Sequence, residues 1–495
     1  THLASSAASD VYKRQIHGRL SRTLLMLTQL MSVSIRVPSM STARGSSDTC
    51  FSTGLARGCM IQGFGDRFNE ASDPFLGLRN MSVWERKWRP AAMKEVIDDS
   101  EAPSGFEPRS FAGIGMSCKL VEPIPIDGIS EWEEAISDLT SWGKVPDPSS
   151  LSSVSLSEND RGPIARLSGD SNWIAEFLPW GSDGLLRRRI DASSEVCDAP
   201  CGGFSWEGGD LILIWEESSS EESSRDALIR ALTDGDQESA TETLRECGIS
   251  LGRYHKHVES VRTTPPDPNR WNERVAGIEE LLRSNSVWRV PHSRDSECML
   301  GLGDVGLADF HGGRIRISRP RLHSALFPAK CEFPAIRDLA SVAHDLSRAF
   351  YETESDLDIV EMRSSLIQGW RSSAPEKWSS DWVLYSHRGG LAIWEYEQCL
   401  LDVIEAVSHQ SGAPQPATNL IGYVPRYQKR MFNNRTFGAL SMMAGSIGVF
   451  SLVSSFPPSA GELPLPIASI ALSFGLMQLY RSRSPAPEIP FNRFY

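Results

Sequence analysis

The sequence predicts an α+β fold with a small β-rich lobe, a larger helical lobe and, after them, a two-helix transmembrane hairpin. Three observations predict this arrangement. Short apolar runs of strand type lie in residues 151–218, and amphipathic helical patterns follow in residues 219–425. Two long stretches without charged side chains then fill most of residues 436–481, and a short tail of residues 482–495 follows them.

Composition limits the classes of partner. The 495 residues carry a formal net charge of −13, so we expect no nucleic-acid partner. Nine cysteines are scattered along the chain without paired Cys-x-x-Cys spacing. This pattern predicts neither a zinc site nor a disulfide framework, and it favours a reducing compartment.

Residues 1–80 predict a disordered leader that is either transit-like or a sequence artefact. Residues 1–15 do not begin with Met and resemble translated adapter sequence. From residue 11 to residue 65, Ser and Arg are frequent and Asp48 is the only acidic residue, as in organelle transit peptides. The other alternative is that this segment is upstream sequence that happens to be in frame, and that translation starts at a later Met such as Met81. Both alternatives remain open.

Residues 81–150 predict an irregular lead-in with one short helix. Pro and Gly interrupt the first part of this segment. Ser130 and Glu133 have the spacing of a capping box, which starts a helix because each side chain caps the backbone N–H of the other residue. Apolar residues follow at helical spacing as far as Trp142, so the helix is predicted over 130–142.

The next two segments supply the elements of the two lobes. Strands are predicted over 164–167, 173–177 and 211–215, with a helix over 185–196 between the last two. Helices are then predicted over 237–259, 271–282, 336–351, 357–371 and 389–409. The order is therefore strands with one helix, an apolar strand, and then mostly helices.

Residues 300–321 contain the side chains with the clearest chemical potential. Asp304 and Asp309 lie near glycine turns, and residues 314–317 alternate like a strand. Carboxylates on turns between short strands are suited to binding metal or moving protons at the mouth of a cleft. The alternative is a surface hairpin whose aspartates are ordinary turn residues.

Several segments resemble a protein-kinase-like fold of the aminoglycoside-phosphotransferase type. RLSGDSNWIAEFLPWGSDGLLRRR resembles the first strands and helix of the small lobe, and GGDLILIWEE resembles the strand that leads to the hinge. LRECGISLGRYHKHV and FPAIRDLASVAHDLSRAF resemble two helices of the large lobe. The segment ADFHGGRIR, with RDLA after it, is similar to the metal-binding region of the lipopolysaccharide-core kinases. The resemblance covers about residues 150–410.

The resemblance implies phosphate transfer from Mg²⁺ and ATP, with two possible registers for the catalytic residues. In the first, Asp304 is the catalytic aspartate, Asp309 takes the place of a metal-binding Asn, and Ser318 takes the place of a second metal-binding Asp. In the second, the residues from Asp309 onward are the metal motif and Asp295 is the catalytic residue. Asp309 is the metal ligand in both registers. No residue is assigned to nucleotide binding.

The same resemblance also has departures that favour an inactive alternative. Leu302 stands where the first register expects a histidine, and Glu176 stands near the expected phosphate-binding lysine. A carboxylate there would repel ATP phosphates. No glycine-rich phosphate loop is evident. The alternative to a phosphotransferase is therefore a pseudokinase-like scaffold or binding module, in which Asp338 braces the large lobe.

The C-terminal stretches predict an integral membrane protein. Residues 437–456 and 463–480 carry no charged side chain, and Glu462 lies in the turn between them. Each stretch is near the roughly 20 residues that cross a bilayer. Arg and Lys residues precede the first stretch and follow the second, so both flanks and the kinase-like domain are expected on the cytosolic side. Partners would be the membrane, a membrane-associated lipid or glycan acceptor, or a protein. The alternative is a buried hairpin of a soluble core or a shallow re-entrant loop.

Overall fold

The structure is a computed structural model, and it describes residues 88–483 with short gaps. The gaps are residues 160, 183, 218–221, 283–296, 330, 385–389, 413–415, 456–458, 460 and 462. The predicted leader of residues 1–80 and Asp295 therefore lie outside the described residues, as does most of the predicted tail.

The strands form three sheets. In chain order they are β1 Lys94–Val96, β2 Phe106–Gly113, β3 Met116–Pro123, β4 Thr140–Gly143, β5 Leu151–Asn159, β6 Gly162–Gly169, β7 Trp173–Phe177, β8 Cys197–Asp198, β9 Gly202–Trp206, β10 Gly209–Glu216, β11 Phe310–His311 and β12 Arg314–Arg316. The strand orders are β1-β2-β3, β4-β9-β10-β7-β6-β5 and β11-β12-β8.

The helices fill most of the second half. In chain order they are α1 Ile129–Ser137, α2 Leu186–Ser193, α3 Ser224–Asp234, α4 Gln237–His257, α5 Pro268–Leu281, α6 Leu322–Leu326, α7 Ala335–Glu352, α8 Ile359–Ser373, α9 Glu376–Ser379, α10 Asp381–Leu384, α11 Leu391–Ser408, α12 Ala417–Ser454 and α13 Pro464–Arg483. A mixed α+β fold, as predicted, is confirmed.

The six-stranded sheet is antiparallel throughout and has β10 and β7 at its centre. The strands predicted over 164–167, 173–177 and 211–215 are confirmed as β6, β7 and β10. The apolar residues of β10 fit its central place in the sheet, where every residue from Asp210 to Trp215 is buried. We call this sheet with α1 and α2 the small lobe.

The lead-in differs from its prediction. Residues 106–123 form the antiparallel hairpin of β2 and β3, to which β1 adds at the edge. The irregular prediction was wrong there because the glycine turn at 113–115 joins two strands of eight residues each. Phe111, Leu120 and Trp88 form a small separate core beside this sheet.

The predicted helix over 130–142 is shorter in the structure. Helix α1 ends at Ser137, and its N-cap is Gly128 without a side-chain cap, so the capping box of Ser130 and Glu133 does not form. Trp142 lies on β4 and pairs with Gly203 of β9. Tertiary strand pairing outweighed helical spacing at this position.

Helices α3 to α11 and the β11–β12 hairpin form what we call the helical lobe. The five helices predicted in this region are confirmed as α4, α5, α7, α8 and α11. Helix α7 lies at the centre of the lobe, because Leu339, Val342, Ala343 and Leu346 are fully buried. Its position brings its polar residues against the stretch of residues 300–317.

Helices α12 and α13 lie side by side at the end of the described chain. Ser441 Oγ donates to the Ser473 carbonyl at 2.7 Å, and Gly438 and Gly448 face Tyr480 and Ile470. Within the described residues, one helical segment, Asn433–Ser454, is long and apolar enough to cross a membrane, with a mean hydropathy of 1.6.

Candidate functional site

The candidate site is built on residues 300–317, between helix α4 and helix α7. Gly303 has a φ of +88°, a left-handed conformation that favours glycine, and it turns the backbone just before Asp304. A 3-10 turn, Leu307–Asp309, leads into the β11–β12 hairpin, whose turn is Gly312–Gly313. Strand β12 pairs in parallel with β8, so this stretch is bonded to the chain that follows α2.

One face of helix α7 holds this backbone on both sides of Asp304. Three polar side chains lie three and four residues apart on α7, and a helix places such residues on the same face. Their bonds run from Leu302 N to Asp338 (2.8 Å), from Ser341 Oγ to the Val305 carbonyl (2.7 Å) and from Leu307 N to Asp345 (2.8 Å). The loop that carries Asp304 is therefore tied to the core of the helical lobe.

A buried chain of side chains supports Asp338 in turn. Trp370 Nε1 donates to His255 Nδ1 at 2.8 Å, which leaves the imidazole proton on Nε2. His255 Nε2 lies 3.4 Å from Asp338 Oδ2 and points this proton at the carboxylate. Tyr254, the residue before it, donates to the Leu300 carbonyl at 2.6 Å.

Asp304 is buried and its carboxylate is already engaged. Oδ1 lies 2.8 Å from His323 Nε2, and Oδ2 accepts from Ser324 Oγ at 2.6 Å and from the Arg321 backbone N–H at 3.0 Å. The other ring nitrogen, His323 Nδ1, lies 2.8 Å from Glu405 Oε1. A histidine thus bridges two carboxylates.

This arrangement keeps both carboxylates ionised and the histidine protonated. Burial raises the pKa of Asp304, but His323 and the hydrogen bonds outweigh it and hold that pKa well below its usual range. Burial lowers the pKa of His323, but Asp304 and Glu405 outweigh it and raise it to about 9. The pKa of Glu405 is lowered in the same way, against the effect of its burial.

Asp309 is bound by the small lobe. Its Oδ2 accepts from Gly306 N at 2.8 Å and from the Arg161 guanidinium at 3.1 Å. Arg161 lies in the turn between β5 and β6, and it also donates to the backbone carbonyls of Asp304 and Arg319, both at 3.3 Å. Both partners of the ion pair have side chains no more than 10% exposed.

Glu176 on β7 binds arginines of the helical lobe. Arg316 donates to its Oε1 at 2.9 Å, Trp215 Nε1 donates to its Oε2 at 3.0 Å, and Arg319 Nε lies 3.8 Å away. The Arg316 guanidinium also lies over the Trp215 ring, 3.9 Å from its centroid. Burial raises the pKa of Glu176, but Arg319 and Arg316 outweigh it, so the pKa is lowered.

These side chains form one group between the lobes, in which every member except the half-buried Arg316 is buried. Arg319 completes it, because it donates to the Pro163 and Phe177 carbonyls at 2.9 and 2.8 Å and to Asn159 Oδ1 at 2.8 Å. We call Arg161, Glu176, Asp309, Arg316 and Arg319 the interlobe cluster. Within the described residues, no three His, Cys, Asp or Glu side chains converge as ligands of a metal ion.

A cavity lies on the other side of the loop. It has a volume of about 430 Å³ and is lined by Gly301–Asp304, by the segment that follows Ser318, by the start of α7 and by α2. Five cationic side chains line it, namely Lys119, Arg189, Arg274, Arg319 and Arg337. We call it the arginine-lined cavity.

Two of the predicted site residues lie on this loop. Asp304 and Asp309 lie five residues apart on the braced loop, as the stretch of residues 300–321 indicated, and Asp295 lies outside the described residues. Sequence reasoning missed Arg161, His323 and Arg319. Arg161 contacts Asp309 across 148 residues of sequence, so no local spacing could have found it.

Neither a known protein-family model nor a curated protein matches this sequence. Among solved structures, a glucosamine kinase in one crystal form aligns with a TM-score of 0.43 and 15% identity, over 72% of this chain and 96% of that enzyme. A glucosamine kinase in complex with glucosamine, ADP and inorganic phosphate gives a TM-score of 0.42, 15% identity and the same coverage. Another crystal form gives 0.43 and 14%, over 67% and 91%. At this low similarity, neither the activity nor the substrate of those enzymes can be assigned to this chain.

Proposed function

We propose that this chain is a membrane-anchored, kinase-like binding module that does not transfer phosphate. The ion pair of Arg161 and Asp309 carries the proposal. Asp309 is the predicted metal ligand, and a guanidinium 3.1 Å from its Oδ2 occupies the side of the carboxylate where a cation would bind. A magnesium ion there would have to displace a buried arginine that makes two further hydrogen bonds.

The geometry of the loop supports the first of the two registers. Asp338 accepts from the backbone two residues before Asp304, and the β11–β12 hairpin directly follows Asp309. In this register Asp304 has the place of the catalytic aspartate. Ser318 follows β12 in the place of a second metal-binding carboxylate, and a neutral hydroxyl is a poor substitute in a magnesium site.

The small lobe points to the same conclusion. Glu176 stands where the resemblance expects a cation for the ATP phosphates, and its partners are Arg316 and Arg319 of the helical lobe. The charges are thus paired within the protein. The residues present therefore do not fit Mg²⁺ and ATP.

A phosphotransferase with a lipid, glycan or protein acceptor is the second candidate. One observation favours it: the Asp304 carboxylate borders a cavity of about 430 Å³ that could receive an acceptor. In this alternative Asp304 would accept the proton of an acceptor hydroxyl, and Asp309 would hold the metal ion if Arg161 moved away.

An ATP turnover assay on the purified full chain in detergent separates the two candidates. Release of phosphate from ATP with Mg²⁺ is measured for the parent chain and for Asp304→Asn. We expect both proteins to remain at the background rate. Turnover by the parent that Asp304→Asn loses would contradict the proposal and establish the second candidate.

The membrane anchor rests on helices α12 and α13. The segment Asn433–Ser454 has the length of a span, and the large apolar side chains Met442, Phe450 and Val453 are each at least 70% exposed. Such a surface suits lipid. By the positive-inside rule, the kinase-like lobes and both flanks of the hairpin face the cytosol, where a protein partner would bind.

Alkaline extraction of membranes tests the anchor. We expect the full chain to remain in the pellet and Ile447→Arg/Phe450→Arg, which places two charges on exposed apolar positions, to move to the supernatant. A matched variant, Ser454→Arg, lies at the end of the helix and should remain in the pellet. Release of the unmodified chain would rule out the anchor.

A further inference from the structure

The arginine-lined cavity differs from the interlobe cluster in that it contains open space. Its volume of about 430 Å³ falls within the roughly 300–1,000 Å³ of small-molecule sites in proteins. Aromatic residues line part of it, among them Trp180, Phe327 and Phe333. The cavity is therefore large enough for a small molecule and has both apolar and charged walls.

The carboxylates that line the cavity are engaged by donors. Asp304 is bound by His323 and Ser324, and Asp338 accepts from Leu302 N. Glu332, the third, accepts from Arg188 at 3.0 Å and from the Thr264 backbone N–H at 2.8 Å. Protonated His323 and Arg188 therefore offset the charge of Asp304 and of Glu332.

Three of the five cations, Arg274, Arg319 and Arg337, have a carboxylate partner that does not line the cavity. Arg274 and Arg337 share one carboxylate, Glu397, which is fully buried and does not line the cavity. Arg319 has Glu176 as its acidic partner, and Glu176 does not line the cavity either. Among the lining residues themselves, five cations stand against three carboxylates, so positive charges outnumber negative ones.

Arginine side chains suit phosphate in particular. A guanidinium presents a planar fork of N–H donors that binds two oxygens at once, and a phosphomonoester offers three terminal oxygens with nearly two negative charges. Arg337 lies over the Phe333 ring, 4.4 Å from its centroid, so this guanidinium is held in place by packing as well as by Glu397.

We propose that the arginine-lined cavity binds a small phosphomonoester, with the phosphate against the cationic wall and the body of the molecule against the aromatic residues. This inference deepens the proposed binding function by naming a ligand class, and it rests on that function for its biological meaning. Its test uses no nucleotide, so its failure would leave the proposed loss of phosphate transfer unaffected.

Cys331 supplies a built-in probe, because its thiol is half-buried and the residue lines the cavity. A methanethiosulfonate reagent reacts with the thiolate, which attacks the reagent sulfur, forms a mixed disulfide and releases methanesulfinate. The anionic sulfonatoethyl reagent and the cationic trimethylammonium reagent are compared on the full chain in detergent. Each rate is divided by the rate of the same reagent with a free thiol, and peptide mass spectrometry assigns the modification to Cys331.

We expect the normalised rate at Cys331 to be about tenfold higher for the anionic reagent, because the cationic wall attracts it. Glucose 6-phosphate and glycerol 3-phosphate should then protect Cys331, whereas glucose and glycerol should not. Faster reaction with the cationic reagent, no protection by either phosphomonoester, or equal protection by glucuronate would overturn the proposal.

Matched variants locate the protection. Arg189→Gln removes a cavity cation and should abolish protection, whereas Arg187→Gln changes a residue of the same helix that pairs with Asp210 outside the cavity and should keep it. Arg189 also donates to the Gly301 carbonyl at 2.6 Å, so Ala329→Trp serves as a second variant. It keeps every cation and fills the cavity at an exposed lining residue, and it should abolish protection too. Full protection in both Arg189→Gln and Ala329→Trp would contradict the proposed site.

Discussion

The interlobe cluster and the arginine-lined cavity lie on two sides of the same loop, and both contain arginines. In the cluster the arginines bind carboxylates directly, and side chains fill the space. In the cavity Arg274 and Arg337 line an open volume, and the Glu397 carboxylate that they share lies behind them. Arg319 lines the cavity as well, but its bonds belong to the cluster. A rigid, well-braced loop therefore does not by itself indicate catalysis. The proposed binding function is therefore assigned to the cavity side of the loop, where cationic side chains line open space.

The largest expected effect comes from breaking the cluster. Arg161→Ala leaves the buried Asp309 carboxylate without its counter-ion, and we expect the free energy of unfolding to fall by about 3–5 kcal/mol. Chemical denaturation of the full chain in detergent measures it. Arg166→Ala, an exposed arginine of β6, is the matched control and should cost less than about 0.5 kcal/mol.

A double variant measures how strongly the two side chains interact. Arg161→Ala/Asp309→Asn removes both charges, so it should be more stable than the sum of the two single changes predicts. Additive effects would mean that the two side chains do not interact. That outcome would weaken the assignment of the cluster as a paired, closed group.

The next largest loss of stability is expected at Asp338, whose carboxylate braces the loop between the cluster and the cavity. Asp338→Ala leaves the Leu302 N–H and the His255 Nε2 proton without their acceptor in a buried place, which should cost roughly 2–4 kcal/mol. Denaturant unfolding measures this loss. Asp356→Ala, an exposed residue just after α7, is the control, and an equal loss in both variants would refute the bracing role.

The pH dependence of stability tests the bridge of Asp304, His323 and Glu405. The pKa of folded His323 is about 9 against about 6.5 when unfolded, so its stabilisation is complete below pH 6.5 and is lost as the pH rises through 9. We expect His323→Gln to lose about 3 kcal/mol at pH 6, and the difference from the parent to shrink toward pH 10. A difference that stays constant over this range would contradict a protonated histidine.

The smallest effect is expected away from both regions. Arg245 and Glu242 form an exposed pair three residues apart on α4, and such pairs contribute little because water screens them. Arg245→Ala should leave the free energy of unfolding almost unchanged. A loss as large as that of Arg161→Ala would mean that burial does not separate the two kinds of ion pair.

The sequence predicted the elements whose signal is local. Helix α7 was found because Leu339, Val342 and Leu346 repeat at helical spacing, and the central strand β10 was found as an apolar run. The aspartates of the loop were found because glycine turns mark their surroundings. Sequence spacing is sufficient where neighbours in the chain are also neighbours in space.

Contacts across long separations were not predictable. Arg161 and Asp309 are 148 residues apart, and Glu176 and Arg316 are 140 apart, so no periodicity connects them. Trp142 has the spacing of a helix with Trp132 but pairs on a strand with β9. The cavity depends on five separate segments and leaves no pattern in any of them.

The most direct test of the closed interlobe cluster is a thermal unfolding titration of the full chain with Mg²⁺ and ATP, and with ATP plus EDTA. A ligand that binds only the folded state adds about 2.7 kcal/mol at a hundredfold excess over its Kd, which would raise the Tm measurably. We expect no change in Tm at millimolar Mg-ATP. A magnesium-dependent increase in Tm that Asp309→Ala abolishes would contradict it.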